Sequence, residues 1–243
     1  MSTLHTARPP TANRILNALP PEDYACLAPH LEFVSLTRGE ILHRPDEPIT
    51  YVYFPNRGTV SVFSAFSDGG GVEVGMVGNE GLFSVSVFLG SVMSPLEALV
   101  QLSGDAVRAR ADLLKQEFKK CEALHDIVLR YAQAFIIQVA QAAACNRAHK
   151  IEGRLARWLL MCQDRAMSGE LALTHEFIAA MLGIRRAGVT EAACAFQRAG
   201  LIKYNRGHIT VTDRAGLEAA SCECYSLVRS EFDRLLGSND HKL

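Results

Sequence analysis

At 243 residues, 49% hydrophobic and 21% charged, the chain has an ordinary globular composition that excludes a fibrous or disordered protein and is long enough for two domains. A net charge of −1 excludes a uniformly basic surface, yet residues 146–214 hold eleven Lys and Arg against six Asp and Glu, a local excess of five positive charges. Seven scattered cysteines argue against a disulfide framework; with a polar N-terminus and no apolar run of about 18 residues, the chain is expected in the cytoplasm and off the membrane.

The first dozen residues, rich in Pro, Thr and Ala, read as a loose tail. Residues 13–19 suit a short helix stopped by Pro20 and Pro21, and a second short helix follows to about Ala28. From residue 31 to 110 the segments LEFVSL, ITYVYF, GTVSVFSAF, VEVGMV, LFSVSVFLG, LEALVQLSG and DAVRAR are rich in β-branched and aromatic residues and are split by turn signals. They predict an antiparallel barrel or roll, with Ser67-Asp68-Gly69-Gly70-Gly71 as a hairpin turn.

From Asp112 the period becomes helical. Leu124, Val128, Tyr131, Phe135, Gln138 and Ala142, continued by Cys145, step by four and three, which predicts a stripe along a long helix that faces a twin in a homodimer. Ile127, Ile136, Ile137 and Val139 widen the apolar surface, so the helix is expected to pack on two sides, against the β unit and against the twin. A further helix over residues 151–165 carries Leu155, Trp158, Leu159 and Cys162 on one face and ends near Ser168 and Gly169, with a hinge at residues 146–150. The chain thus divides into an N-terminal β domain, residues 13–110, a dimerisation helix with linker, residues 111–147, and a C-terminal domain, residues 148–236.

Residues 174–200 read as two short helices joined by a tight turn. Thr174 is the expected N-cap of the first, whose apolar face is Phe177, Ile178, Met181 and Leu182. Gly183 supplies the turn, Ile184 fills the angle, and Val189, Ala192, Ala193 and Phe196 face inward on the second helix. The outward N-terminal side presents Arg185, Arg186 and Thr190, and Gly188 is small enough to let the backbone approach DNA. A helix in the major groove aims such positions at base edges. Residues 201–212 then form a hairpin around Asn205-Arg206-Gly207, a wing on which Lys203, Arg206 and His208 would meet phosphate.

With these residues the chain resembles the Crp/Fnr family of bacterial transcription regulators over nearly its whole length. The resemblance is carried by residues 173–212 and, in the N-terminal half, by Arg38-Gly-Glu-Ile-Leu, Gly58-Thr-Val-Ser-Val, Asp68-Gly69 and Val77-Gly78-Asn79-Glu80-Gly81. It implies an α+β fold: an N-terminal antiparallel β-roll of the cyclic-nucleotide-binding type, a long dimerisation helix and a C-terminal winged helix-turn-helix. It also implies a homodimer on a palindromic operator in double-stranded DNA, acting on RNA polymerase, with a small-molecule effector of unknown identity in the roll.

The departures bear on the ligand. Residues 78–96 contain no Arg or Lys to pair with a cyclic phosphate, so a cyclic nucleotide is not expected. Cys26 alone lies near the N-terminus, too few for an iron–sulfur cluster, and a lone His43 reads as structural rather than as a haem ligand; no cofactor is expected. In the recognition helix Arg186 matches the family's first base-reading arginine, Ala187 replaces a glutamate, and Glu191 stands in place of the second arginine. The operator should therefore differ from that of the founding members.

Cys222-Glu-Cys224 reads as two packing cysteines in a final helix rather than a metal site, because thiols two residues apart diverge in a strand and in a helix alike, and no Cys or His is near in sequence. The Gly69-Gly70-Gly71 run lacks the helix of a phosphate loop, and His149 with Glu152 suits a solvated hinge. No enzyme is expected. A roll that acts on a protein partner without reading DNA is the alternative.

Overall fold

The computed structural model describes residues 11–67, 69–166 and 169–237. The chain opens with α1 (Arg14–Asn17) and α2 (Pro21–Leu27), as the proline spacing predicts. Asn13 caps α1 through its side-chain oxygen and donates its amide to the carbonyls of Pro55 and Gly81, which ties this end to the roll.

The roll has five strands: β1 (Glu32–Leu36), β2 (Ile41–His43), β3 (Tyr51–Ala65), β4 (Gly71–Val77) and β5 (Glu97–Arg110). All pair antiparallel, in the order β1-β5-β3-β4, with β2 also on β5. The runs ITYVYF and GTVSVFSAF are one bent strand rather than two, as are LEALVQLSG and DAVRAR. The bend occurs where Gly58 and Gly104 bring β3 and β5 into contact: a methyl on Gly104 would meet the Arg57 carbonyl at 2.1 Å, and one on Gly58 the Leu102 carbonyl at 2.5 Å. LFSVSVFLG is not a strand. Ser84 takes a left-handed conformation (φ 79°) and residues Val85–Val87 close into a 3-10 turn, so the apolar run drops into the core instead of pairing along its length. Asp68, in the expected hairpin turn, lies outside the described residues, as does Ser168.

The helical part begins with α3 (Ala111–Lys120) and α4 (Glu122–Ala148), two helices where the period suggested one; extended backbone at Cys121 separates them. The stripe Leu124, Val128, Tyr131, Gln138 and Ala142 is buried inside the protomer, with Phe135 partly buried beside it. It packs with Ile15, Leu27, Phe54 and Leu82, and Gln138 donates to the Met76 carbonyl at 3.0 Å. Five of the six residues expected at the dimer contact, all but the half-buried Phe135, are enclosed by their own protomer, which leaves them little surface for a partner. α4 is long and apolar enough to cross a membrane, contrary to the reading of run lengths, but its buried face makes it a core helix of this fold.

The C-terminal part comprises α5 (Ile151–Ala166), β6 (Glu170–Leu171), α6 (His175–Leu182), α7 (Arg186–Arg198), β7 (Ile202–Asn205), β8 (His208–Val211), α8 (Arg214–Ala220) and α9 (Cys224–Leu236). Its core gathers Leu155, Trp158, Leu159, Ile178, Leu182, Val189 and Phe196. α9 bridges the two halves, placing Tyr225 in this core and Val228 and Phe232 in the one shared by α1 and α4.

Polar contacts join roll to C-terminal part. Arg165 donates to Glu80 at 2.8 Å, both buried, and Glu80 also accepts from the Gly78 amide at 3.1 Å. The Glu73 carboxyl lies between the Trp158 indole (2.8 Å) and the Ser61 hydroxyl (2.6 Å). Burial pushes the Glu73 pKa up to about 7, against the opposing pull of those donors.

Candidate nucleic-acid interface

The helix-turn-helix forms where its local chemistry predicts. Thr174 Oγ1 accepts from the Phe177 amide at 3.2 Å and caps α6. At the other end Gly183 sits in the left-handed region (φ 61°, ψ 42°), and the Gly183 and Ile184 amides donate back to Ala180 and Ala179. The buried Arg154 donates to the Leu182 carbonyl, another acceptor at the same helix end. Val189, Ala192, Ala193 and Phe196 are buried as expected and seat α7 on the core.

Arg185 is the N-cap residue of α7 and Arg186 its first residue; both are exposed, Arg186 with 69% of its side chain in solvent. The nearest acid, Glu176, is 3.8 Å from Arg186 and equally exposed, a contact too solvated to hold the guanidinium back from a phosphate or base. Thr190 is placed differently. Its hydroxyl donates to the Arg186 carbonyl at 3.1 Å and meets His175 Nδ1 at 3.0 Å, so it is half-buried and mostly engaged within the fold. Gly188 is half-buried, and a methyl there would meet Ile151 Cδ1 at 3.0 Å, so its small size serves the packing of α7 on α5.

The wing is a three-stranded sheet, β6-β8-β7, with Arg206 and Gly207 both at positive φ in the turn. Lys203 and Arg206 are exposed; His208 is exposed but paired with Glu170 at 3.1 Å. His175, which the sequence reading passed over, organises the surface. Its ring stacks on Tyr204 of β7 at 4.1 Å and contacts Thr190 of α7, and its burial, with the nearby Arg186 charge, lowers its pKa. Around it the cap of α6, the first turn of α7 and the wing come together, with Thr174 against Gly207.

The charge count of residues 146–214 changes in three dimensions. Arg154, Arg157 and Arg165 are buried, and Arg214 is held by Asp164 and Glu218. The exposed cations Arg147, Lys150, Arg185, Arg186, Arg198, Lys203 and Arg206 remain. The roll also reaches this region: Val72 lies against the Gly183 turn, Arg38 sits over the Phe177 ring at 5.3 Å, and a groove of about 940 Å³ runs between Phe63, Phe66 and Val72 on one side and Ile184, Arg185 and Ala187 on the other.

Cys222 and Cys224 are not both in the last helix. Cys222 precedes α9, and the turn through Glu223 carries both thiols toward Cys145 and His149 of the α4 end. Spacing along the chain gives no sign of these partners, which lie on a distant helix.

Residues 153–220 match the family model of the Crp-like helix-turn-helix domain. No curated protein sequence is significantly similar to the chain. Solved structures similar to it include FixK2 from Bradyrhizobium japonicum (TM-score 0.68, 18% identity, covering 79% of this chain and 98% of that one) and TTHB099, a transcriptional regulator of the CRP family from Thermus thermophilus (0.63, 21%, 77% and 96%). The c-di-GMP responsive global regulator CLP from Xanthomonas campestris is a third (0.60, 14%, 79% and 99%). The chain therefore shares the fold of these structures, a β-roll and long helix, and carries a Crp-like helix-turn-helix domain over residues 153–220.

Proposed function

We propose that the protein is a non-enzymatic transcription regulator that binds double-stranded DNA as a homodimer, reads a palindromic operator in the cytoplasm and acts on RNA polymerase. The observation that carries the reading is the pair Arg185 and Arg186, exposed at the start of α7, fixed by the Gly183 turn and flanked by the wing cations Lys203 and Arg206. Arg186 reads a base edge; Arg185, Lys203, Arg206, His208 and the α6 cap at Thr174 follow the phosphates. Twin α4 helices join through the face the roll leaves open. Leu129, Gln133, Ile136, Ala140 and Ala143 are exposed and step by four and three, so they form a second stripe opposite the buried one.

The roll is proposed to work without a cyclic nucleotide. The cavity between β4, α4 and α5, lined by Glu73, Gln138 and Arg157, has a volume of about 10 Å³, room for a single water, and residues 78–96 offer no cation to a phosphate. A different effector of the roll, of unknown identity, is part of the same proposal.

Selection of sites from random duplex DNA tests the reading. A two-fold symmetric site is expected, relaxed at one position of each half by Arg186→Ala, with affinity falling steeply as salt rises. Absence of enrichment, with salt-insensitive retention of a protein partner, would replace DNA reading by a sensor that acts on protein.

A further inference from the structure

Four ligand atoms from two distant stretches of chain converge at the end of α4. Cys145 Sγ lies 3.5 Å from Cys222 Sγ, Cys224 Sγ lies 3.4 Å from His149 Nδ1, and all four atoms fall within 4.8 Å of one another. Zinc bound by thiolates at about 2.3 Å and imidazole at about 2.0 Å spaces its tetrahedral ligands roughly 3.5–3.8 Å apart, so two of the six separations already approach the edges of such a tetrahedron and the others need to close by about 1 Å at most. The Cys222–Tyr225 turn, closed by the Tyr225 amide on the Cys222 carbonyl at 3.1 Å, explains how thiols two residues apart face one point.

The surroundings suit a metal better than packing alone. His149 Nε2 contacts the Glu223 carboxylate at 3.1 Å, which places the ring proton on Nε2 and leaves the Nδ1 lone pair toward the thiols. A carboxylate behind a histidine in this way is the usual second layer of a metal site. Gln141 donates its amide to Cys224 Sγ at 3.0 Å, a bond that favours a thiolate. Cys145 and Cys224 are fully buried and Cys222 nearly so, with His149 about a quarter exposed, and four protein ligands fill a tetrahedral shell without a water. We propose that Cys145, His149, Cys222 and Cys224 form a closed Cys3His site for a zinc-class divalent cation, which ties the end of α4 to the start of α9 beside the hinge into α5. Binding replaces three thiol protons, released to solvent, and the four-coordinate site of one dication, three thiolates and a neutral imidazole carries a net charge of −1.

The test uses the full chain, purified without chelator under anaerobic conditions. Elemental analysis is expected to find one zinc per chain. Cobalt(II) added to the reduced, metal-depleted protein should give intense tetrahedral ligand-field bands and thiolate charge-transfer absorption, both lost or shifted in Cys224→Ser. Should that variant fail to fold, Glu223→Gln decides: the side chain is 73% exposed and unfolding is not expected, but cobalt affinity should fall roughly 10- to 100-fold with the band positions kept. A metal-free protein with a pale octahedral cobalt spectrum overturns the proposal. So does a Cys145–Cys222 disulfide in the anaerobic preparation, or cobalt affinity unchanged by Glu223→Gln.

Discussion

The two faces of α4 make opposite demands, and Ile136→Ala separates them. Ile136 keeps 55% of its surface in solvent within the protomer, at the centre of the exposed stripe. Full burial of an isoleucine is worth about 1.5–3 kcal/mol, so covering the exposed part recovers roughly 1–1.5 kcal/mol per copy and roughly 2–3 kcal/mol for the symmetric pair. The dimer dissociation constant should therefore rise roughly 30- to 150-fold, read by sedimentation equilibrium across a dilution series. The stability of the monomer in urea should hardly move, since that side chain packs little at home. Leu124→Ala is the counterpart: its buried side chain holds the protomer core, and its loss should cost about 2–5 kcal/mol of folding stability. An unchanged dissociation constant in Ile136→Ala would refute the placement of the twin helix on this face.

Three further outcomes follow from the same geometry. Arg186→Ala should cost about 1–3 kcal/mol at one base of each half-site, whereas Arg206→Ala should weaken all sequences alike and lower the salt slope by about one per subunit, both read by fluorescence anisotropy on operator variants; equal effects on every sequence from both would remove Arg186 from base reading. Gly183→Ala should destabilise the helix-turn-helix by about 1–2 kcal/mol, because a methyl in a left-handed residue is strained and would also lie 3.1 Å from Val72; a thermal melt matching wild type would contradict it. Glu73 has a folded pKa of about 7, raised from 4.5, so it binds a proton more tightly when folded; its stabilisation is complete below the unfolded pKa and is lost as pH rises through about 7. Urea midpoints should fall between about pH 5 and about pH 8 by an amount worth at most about 3 kcal/mol, and Glu73→Gln should flatten that slope; parallel profiles would sink the assignment.

Much of this was legible in the sequence because it depends on local chemistry. The Thr174 cap, the Gly183 turn, the inward set Val189, Ala192, Ala193 and Phe196 and the Asn205–Gly207 wing turn are dictated within a few residues of chain, and each took the expected conformation. The roll was legible in its strand content but not in its joins, since Gly58 and Gly104 read as strand breaks until the two bent strands are laid together. Ser84 defeated the alternation rule outright: LFSVSVFLG has the composition of a strand, and one left-handed residue turns it into a core-filling loop.

What stayed hidden needed contacts between distant segments. Charge counting credited Arg154, Arg157 and Arg165 to a DNA surface, although all three point inward, Arg165 to a carboxylate 85 positions earlier. The thiol cluster was invisible for the same reason, its members being split between residues 145–149 and 222–224. The heptad stripe of α4 shows the limit most clearly. Steps of four and three establish that a helix has an apolar face, but they carry no information on what covers it; α4 has two such stripes, and the richer one, with Leu124, Val128 and Tyr131, went to the larger burial its own domain offers. In the proposed dimer the weaker stripe through Leu129 and Ile136 is the one left for a twin: apolar enough to associate, yet sparse enough for the protomer to fold and remain in solution before it pairs.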